Sequence, residues 1–197
     1  MMIISNNRME WGFLAQLMLK LGFSNSWVDK IMYCVTSMSL SFLINGEVRG
    51  LLFPSRGLRQ RDLLFPYLFL ICAKGFSSLI HKAISCGDLL GFRCGRTGPI
   101  VSHLFFVDDS LLFAKATRKN CITISYIIQD YALASGQVIN FDKSALCVSR
   151  SVPRTKGLCL AIIVGVQQIN CHEKYLGLPS MAGKNKRQLF DSITLVS

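Results

Sequence analysis

Two short apolar runs, residues 100–107 and 111–114, flank Asp108, Asp109 and Ser110. Runs of this length around a polar break read as a β-hairpin. Among the eleven acids of the chain, Asp108 and Asp109 are the one adjacent pair. Carboxylates held this close between apolar flanks repel, and partial loss of water disfavours their charge further. A divalent cation relieves both effects, and hard carboxylate oxygens suit Mg²⁺ or Mn²⁺. The same spacing also fits an exposed turn that simply uses Asp, a common turn residue. The residues alone leave both readings open.

The other segments alternate between helical and strand patterns. Trp11, Leu14, Met18 and Leu21 recur at helical spacing over 9–21, with Gly22 as a stop. A second helix is predicted over 27–38, capped by Ser26 with Asp29 completing a capping box. Its buried stripe would be Trp27, Ile31, Val35 and Met38. Residues 41–44 and 48–53 read as strands joined by a tight Asn45-Gly46 turn. A loop over 54–62 holds Arg56, Arg59 and Arg61. A buried helix follows over 66–84, then glycine-rich turns over 87–99. A third amphipathic helix spans 119–134, with Ile124, Ile127, Ile128 and Tyr131 inward and Gly136 as its stop. Short strands are predicted at 138–141 and 145–148 around Asp142-Lys143-Ser144. Beyond Pro153 the pattern weakens, with a turn or edge strand at 175–179 and the start of a helix over 183–197. Hairpins among helices, without regular βαβ alternation, predict an α+β fold with an antiparallel sheet covered by helices on one face.

Charge narrows the partners. Lys and Arg number 22 against 11 Asp and Glu, a net +11. That excess points to a polyanion, nucleic acid first and an anionic membrane surface second. With 51% hydrophobic and 17% charged residues the chain is no disordered tail. The longest apolar run, 63–73, contains Pro66 and is about half the length a spanning helix needs, so no bilayer-spanning segment is expected. The N-terminus has no secretory-signal order. Eight cysteines lie scattered without metal-site spacing, which predicts reduced thiols and an intracellular setting, nuclear or cytoplasmic. The loop from Arg56 to Asp62 is either a phosphate-binding loop or a solvated surface loop.

Several stretches resemble a known family. Arg56-Gly57-Leu58-Arg59-Gln60-Arg61-Asp62, continuing through Pro66-Tyr67-Leu68-Phe69-Leu70, resembles the second core motif of reverse transcriptases from plant non-LTR retrotransposons. Phe106-Val107-Asp108-Asp109 is similar to the third motif, Ala134-Ser135-Gly136-Gln137-Val138-Ile139-Asn140 with Lys143-Ser144 to the fourth, and Tyr175-Leu176-Gly177-Leu178-Pro179 to the fifth. Met9-Glu10-Trp11 and Ser41-Phe42-Leu43-Ile44-Asn45-Gly46 match stretches flanking the first. The resemblance implies a polymerase palm over 1–180, with fingers and thumb largely missing and 181–197 starting the next region. It implies RNA-templated DNA synthesis from dNTPs on a DNA primer, through two metal ions, Mg²⁺ or Mn²⁺. Asp108 would bind both ions and Asp109 support it. Arg59, Gln60, Phe106 and Val107 would lie against nucleotide and template, and Lys143 would protonate the leaving pyrophosphate.

The departures are specific. The first-motif aspartate counts back to Met1, with Ser5 and Asn6 where an Ala-aromatic pair belongs. Arg61 replaces a glycine, Leu63 a proline, Phe65 a serine and Val107 an alanine. The expectation is a decayed, inactive copy. The alternative is a non-catalytic, basic RNA- or DNA-binding remnant.

Overall fold

The computed structural model describes residues 8–58, 63–93, 95–106 and 109–169, and the backbone of 2–5, 174–175 and 178–179. In chain order the elements are β1 (Met2–Ser5), α1 (Trp11–Lys20), α2 (Asn25–Thr36), β2 (Leu40–Ile44), β3 (Glu47–Leu52) and α3 (Phe65–Ser85). Next come β4 (Phe92–Arg93), β5 (Ile100–Val101), β6 (His103–Phe106), β7 (Asp109–Leu112), α4 (Arg118–Ser135) and β8 (Val138–Asn140). The remainder are β9 (Ala145–Cys147), α5 (Arg154–Val164), β10 (Gln167–Ile169), β11 (Lys174–Tyr175) and β12 (Leu178–Pro179). The fold is α+β, as expected.

A four-stranded sheet in the order β6-β7-β1-β8 forms the platform, and its neighbouring strands all run antiparallel. Strand alternation divides its two faces. Phe105, Ser110, Leu112 and Ile139 turn towards α3 and α4, whereas Leu104, Phe106 and Val138 are exposed on the other face. Beneath the covered face Phe76 stacks on Phe105 at 5.5 Å and lies 4.7 Å from Tyr131. Ile80, Leu89, Ile127 and Ile128 complete that cluster. Burial of a side chain such as Phe76 stabilises the fold by about 1.5–3 kcal/mol. A second cluster gathers Met9, Leu14, Met18, Val28, Val35, Leu58, Leu68 and Cys72 between α1, α2 and α3.

Helix α4 starts on Thr117, whose hydroxyl accepts from the Asn120 amide, and stops at Gly136 in the left-handed conformation. Helix α2 differs from expectation at its start. Ser24, not Ser26, caps it by accepting from the Trp27 amide, so no Ser26–Asp29 capping box forms. Its buried side chains are Val28 and Val35, and Trp27 is half exposed. Of the expected stripe Val35 is buried and Ile31 and Met38 are partly buried; Trp27 is the member that turns outward, with Val28 buried in its place.

Other corrections come from long-range pairing. Strand β1 has no sequence signal beyond four residues. Residues 92–93 and 100–101, inside and beside the glycine-rich stretch, pair as β4 and β5. The two strands after α4 do not pair with each other: β8 joins β1, while β9 pairs in parallel with β10. Parallel pairing needs a crossover, and α5 supplies it. The helix escapes notice because its exposed Leu158 and Ile162 blur the amphipathic pattern. Gly157, an unfavourable helix residue, further weakens the helical signal; it packs against the end of the Gln168 side chain. The expectation of reduced thiols fails at Cys147, which is disulfide-bonded, while Cys34, Cys72, Cys86, Cys121 and Cys159 are free. Spacing along the chain does not report which thiols folding brings together.

Helix α3 corrects the reading of spanning length. Its 21 residues are long and apolar enough to cross a membrane by length and composition. Here one face, Leu68, Cys72, Phe76 and Ile80, is core. The β2–β3 hairpin turns at Asn45-Gly46 as predicted, and all its strand residues are exposed. The helix start expected over 183–197 lies outside the described residues.

Candidate nucleic-acid and metal site

The β6–β7 hairpin forms as its apolar runs predict. Phe106 pairs with Asp109, which opens β7 and is half-buried. Across the sheet Asp109 stands opposite Ile3, and Ile3 opposite Asn140. Neighbouring strands are about 4.8 Å apart, so the Asp109 and Asn140 backbones are separated by roughly 10 Å. The Asn140 side chain accepts from the Lys143 amide at 3.1 Å, and Ser144 Oγ donates to the Asn140 carbonyl at 2.6 Å. This turn sets exposed Lys143 just past the end of β8. The structure therefore places Phe106 and Asp109 on the paired strands β6 and β7, and Lys143 in the turn after β8, with β1 between β7 and β8. Asp108, Val107, Arg59 and Gln60 lie outside the described residues.

Residues 8–11 tie three of the motif stretches together at one end of this sheet. The Gly57 amide donates to the Met9 carbonyl at 2.8 Å, and the Trp11 indole Nε1–H donates to the Gly57 carbonyl at 2.8 Å. The Glu10 amide donates to the Ser135 carbonyl at 2.8 Å. A Cβ on Gly136 would stand 2.5 Å from Glu10 Cγ and 2.8 Å from the Arg8 carbonyl oxygen, so the motif's glycine is what admits this segment. Arg56 and Glu10 form an ion pair at 3.7 Å, each about half exposed and hence worth little in water. Strand β8 departs from this joint, with Val138 opposite Ser5.

The site's carboxylates decide its metal chemistry. Two-metal transfer needs ligands that clamp both ions from more than one strand. Strand β1, directly beside Asp109, reads Met-Ile-Ile-Ser. Among the described residues no three His, Cys, Asp or Glu come together as a metal-binding group. The described donors thus do not fit a two-metal centre, and no step is derived through one.

A hydroxyl–imidazole cluster at the β6 edge escapes sequence reading altogether. Ser77 Oγ on α3 lies 2.9 Å from His103 Nε2, and Ser102 Oγ lies 2.8 Å from His103 Nδ1. The His81 ring centroid is 5.2 Å away. Desolvation, then His81 and Lys74, lower the His103 pKa below its usual value. Nothing in the spacing of these residues foreshadows their meeting.

Residues 4–179 match the model of a family described as reverse transcriptase (RNA-dependent DNA polymerase). The chain belongs to the reverse transcriptase family. An uncharacterized mitochondrial protein of Arabidopsis thaliana is 46% identical to it over 78 residues, covering 40% of this chain and 64% of the relative. The chain thus spans just under two thirds of that curated relative. The matched span of this reverse transcriptase chain takes in the β6–β7 hairpin, the residue 8–11 joint and the Lys143 turn.

Proposed function

We propose that this chain is a palm segment of a plant non-LTR retrotransposon reverse transcriptase that binds RNA and DNA and does not itself extend primers. Residues 1–180 make up the palm and 181–197 begin the following region. The ancestral reaction is RNA-templated synthesis from dNTPs, with Asp108 and Asp109 as metal ligands, Arg59, Gln60, Phe106 and Val107 against nucleotide and template, and Lys143 as proton donor to pyrophosphate. The observation that carries the loss of activity is strand β1: it lies against Asp109 and offers no carboxylate, and Met1 stands at the motif's aspartate position. Metal catalysis of this kind supplies several kcal/mol at the transition state, and each 1.36 kcal/mol is about tenfold in rate. Losing a bridging ligand therefore costs at least a few orders of magnitude. The net charge of +11 supports retained, largely sequence-independent binding.

The test is primer extension on an RNA template with dNTPs and Mg²⁺ or Mn²⁺, beside titrations of single-stranded RNA and DNA across salt. The expected outcome is no extension, with affinity falling as a power of salt concentration. Template-dependent extension abolished by Asp108→Ala would overturn the inactive reading. Affinity unchanged from low to high salt would overturn nucleic-acid binding.

A further inference from the structure

We infer that Trp11 is a positioning residue that holds Arg56 at the sheet end where nucleic acid binds; the inference rests on the nucleic-acid reading above. Gly57 is pinned from both sides, its amide by the Met9 carbonyl and its carbonyl by the Trp11 indole. The Met9 bond holds the Arg56–Gly57 peptide and the Trp11 bond holds the Gly57–Leu58 peptide, so losing the indole bond frees rotation about the Gly57 Cα between them. The anchor is firm: Met9 and Leu58 are buried in the α1–α2–α3 cluster. Arg56, one residue before the pinned glycine, is the opposite case. Its side chain is 54% exposed, and its partner is the Glu10 carboxylate at 3.7 Å, too loose and too wet to hold it. The backbone clamp therefore directs a guanidinium that remains free to exchange Glu10 for a phosphate, with paired donors suited to phosphate oxygens. Strand β8 follows Ser135 out of the same joint, so Arg56 and its Glu10 partner stand at the end of the sheet from which β8 departs.

The experiment uses the full 197-residue chain and four proteins: wild type, Trp11→Phe, Arg56→Gln and the double variant. Phenylalanine keeps an aromatic ring against the core and removes the indole donor together with one fused ring. Each is titrated with fluorescein-labelled single-stranded oligoribonucleotide from about 50 to 300 mM salt. One lost phosphate contact makes the slope of log affinity against log salt shallower by about 0.7 on a single strand. Trp11→Phe should bind about three- to tenfold more weakly at low salt with that shallower slope, Arg56→Gln should match it, and the double variant should be no worse than either. Such non-additivity marks residues acting through one contact. Wild-type affinity and slope in Trp11→Phe, or additive losses in the double variant, overturn the inference. If wild type does not bind the oligoribonucleotide, the nucleic-acid reading fails, and limited trypsin digestion judges the clamp alone. Faster cleavage after Arg56 in Trp11→Phe, followed by mass spectrometry, upholds the clamp, and unchanged cleavage refutes it.

Discussion

Replacing Gly136 with alanine tests the joint that brings the motifs together. Gly136 has φ +69°, and L-residues pay roughly 1–2 kcal/mol for the left-handed region. Alanine recovers about 0.4–1 kcal/mol by narrowing the unfolded ensemble. Strain alone thus leaves a net loss of about 1 kcal/mol. The added Cβ also meets Glu10 Cγ at 2.5 Å and the Arg8 carbonyl oxygen at 2.8 Å. Glu10 can swing away at little cost, but the Arg8 oxygen is backbone and can yield only by moving the segment. Overpacking of this kind costs about 1–3 kcal/mol, for a total of about 2–4 kcal/mol. Gly165→Ala is the control: its φ is +80° and nothing lies within 4 Å of the new Cβ, so only the strain remains. Thermal melts followed by circular dichroism read both. At this chain length ~1 kcal/mol moves Tm by about 2–4 °C, so Gly136→Ala should melt roughly 5–15 °C low and Gly165→Ala only a few degrees low. Equal shifts for the two variants would refute the close approach of residues 8–10 to the end of α4.

Two further outcomes follow from burial and bonding. His103 has a folded pKa below 6.5, so the unfolded chain takes up its proton first on acidification; stability from this group is complete above about pH 6.5 and is lost as pH falls below it. Urea unfolding between pH 5 and 8 should show that loss flattened in His103→Gln, and an unchanged profile would contradict it. Thiol titration of the denatured chain without reductant should find six reactive thiols, since one disulfide involving Cys147 removes two of eight. In the native chain iodoacetamide should modify exposed Cys34, Cys86 and Cys159 and spare Cys72, whose thiol is buried and pushed up to about 12. Prompt alkylation of Cys72 would argue against the core around α3.

Local chemistry made much of this fold legible in the sequence. Helical spacing from Trp11 to Met18, the Asn45-Gly46 turn, the apolar runs around Asp108-Asp109 and the Gly136 stop each act within a few residues, and each produces its element. The matches to reverse transcriptase motifs were legible for the same reason, being contiguous stretches. At the start of α2, where Ser24 and Ser26 both offer a capping hydroxyl, the sequence pattern landed two residues away.

What the sequence by itself determined is the set of pieces: three amphipathic helices and a buried one, two hairpins and a basic loop. Their order in space was decided only by the tertiary structure. Strand β1 carries four residues and no strong pattern, yet it lies between β7 and β8 and puts Ile3, not a carboxylate, opposite Asp109. The clamp on Gly57, the Ser77–His103 contact and the β9–α5–β10 crossover likewise join residues far apart in the chain. A single hydrogen bond or strand pair of this kind contributes little beside the entropy of closing a long loop, so no local residue preference encodes it. It forms because burial of the apolar faces in the two core clusters holds its partners together.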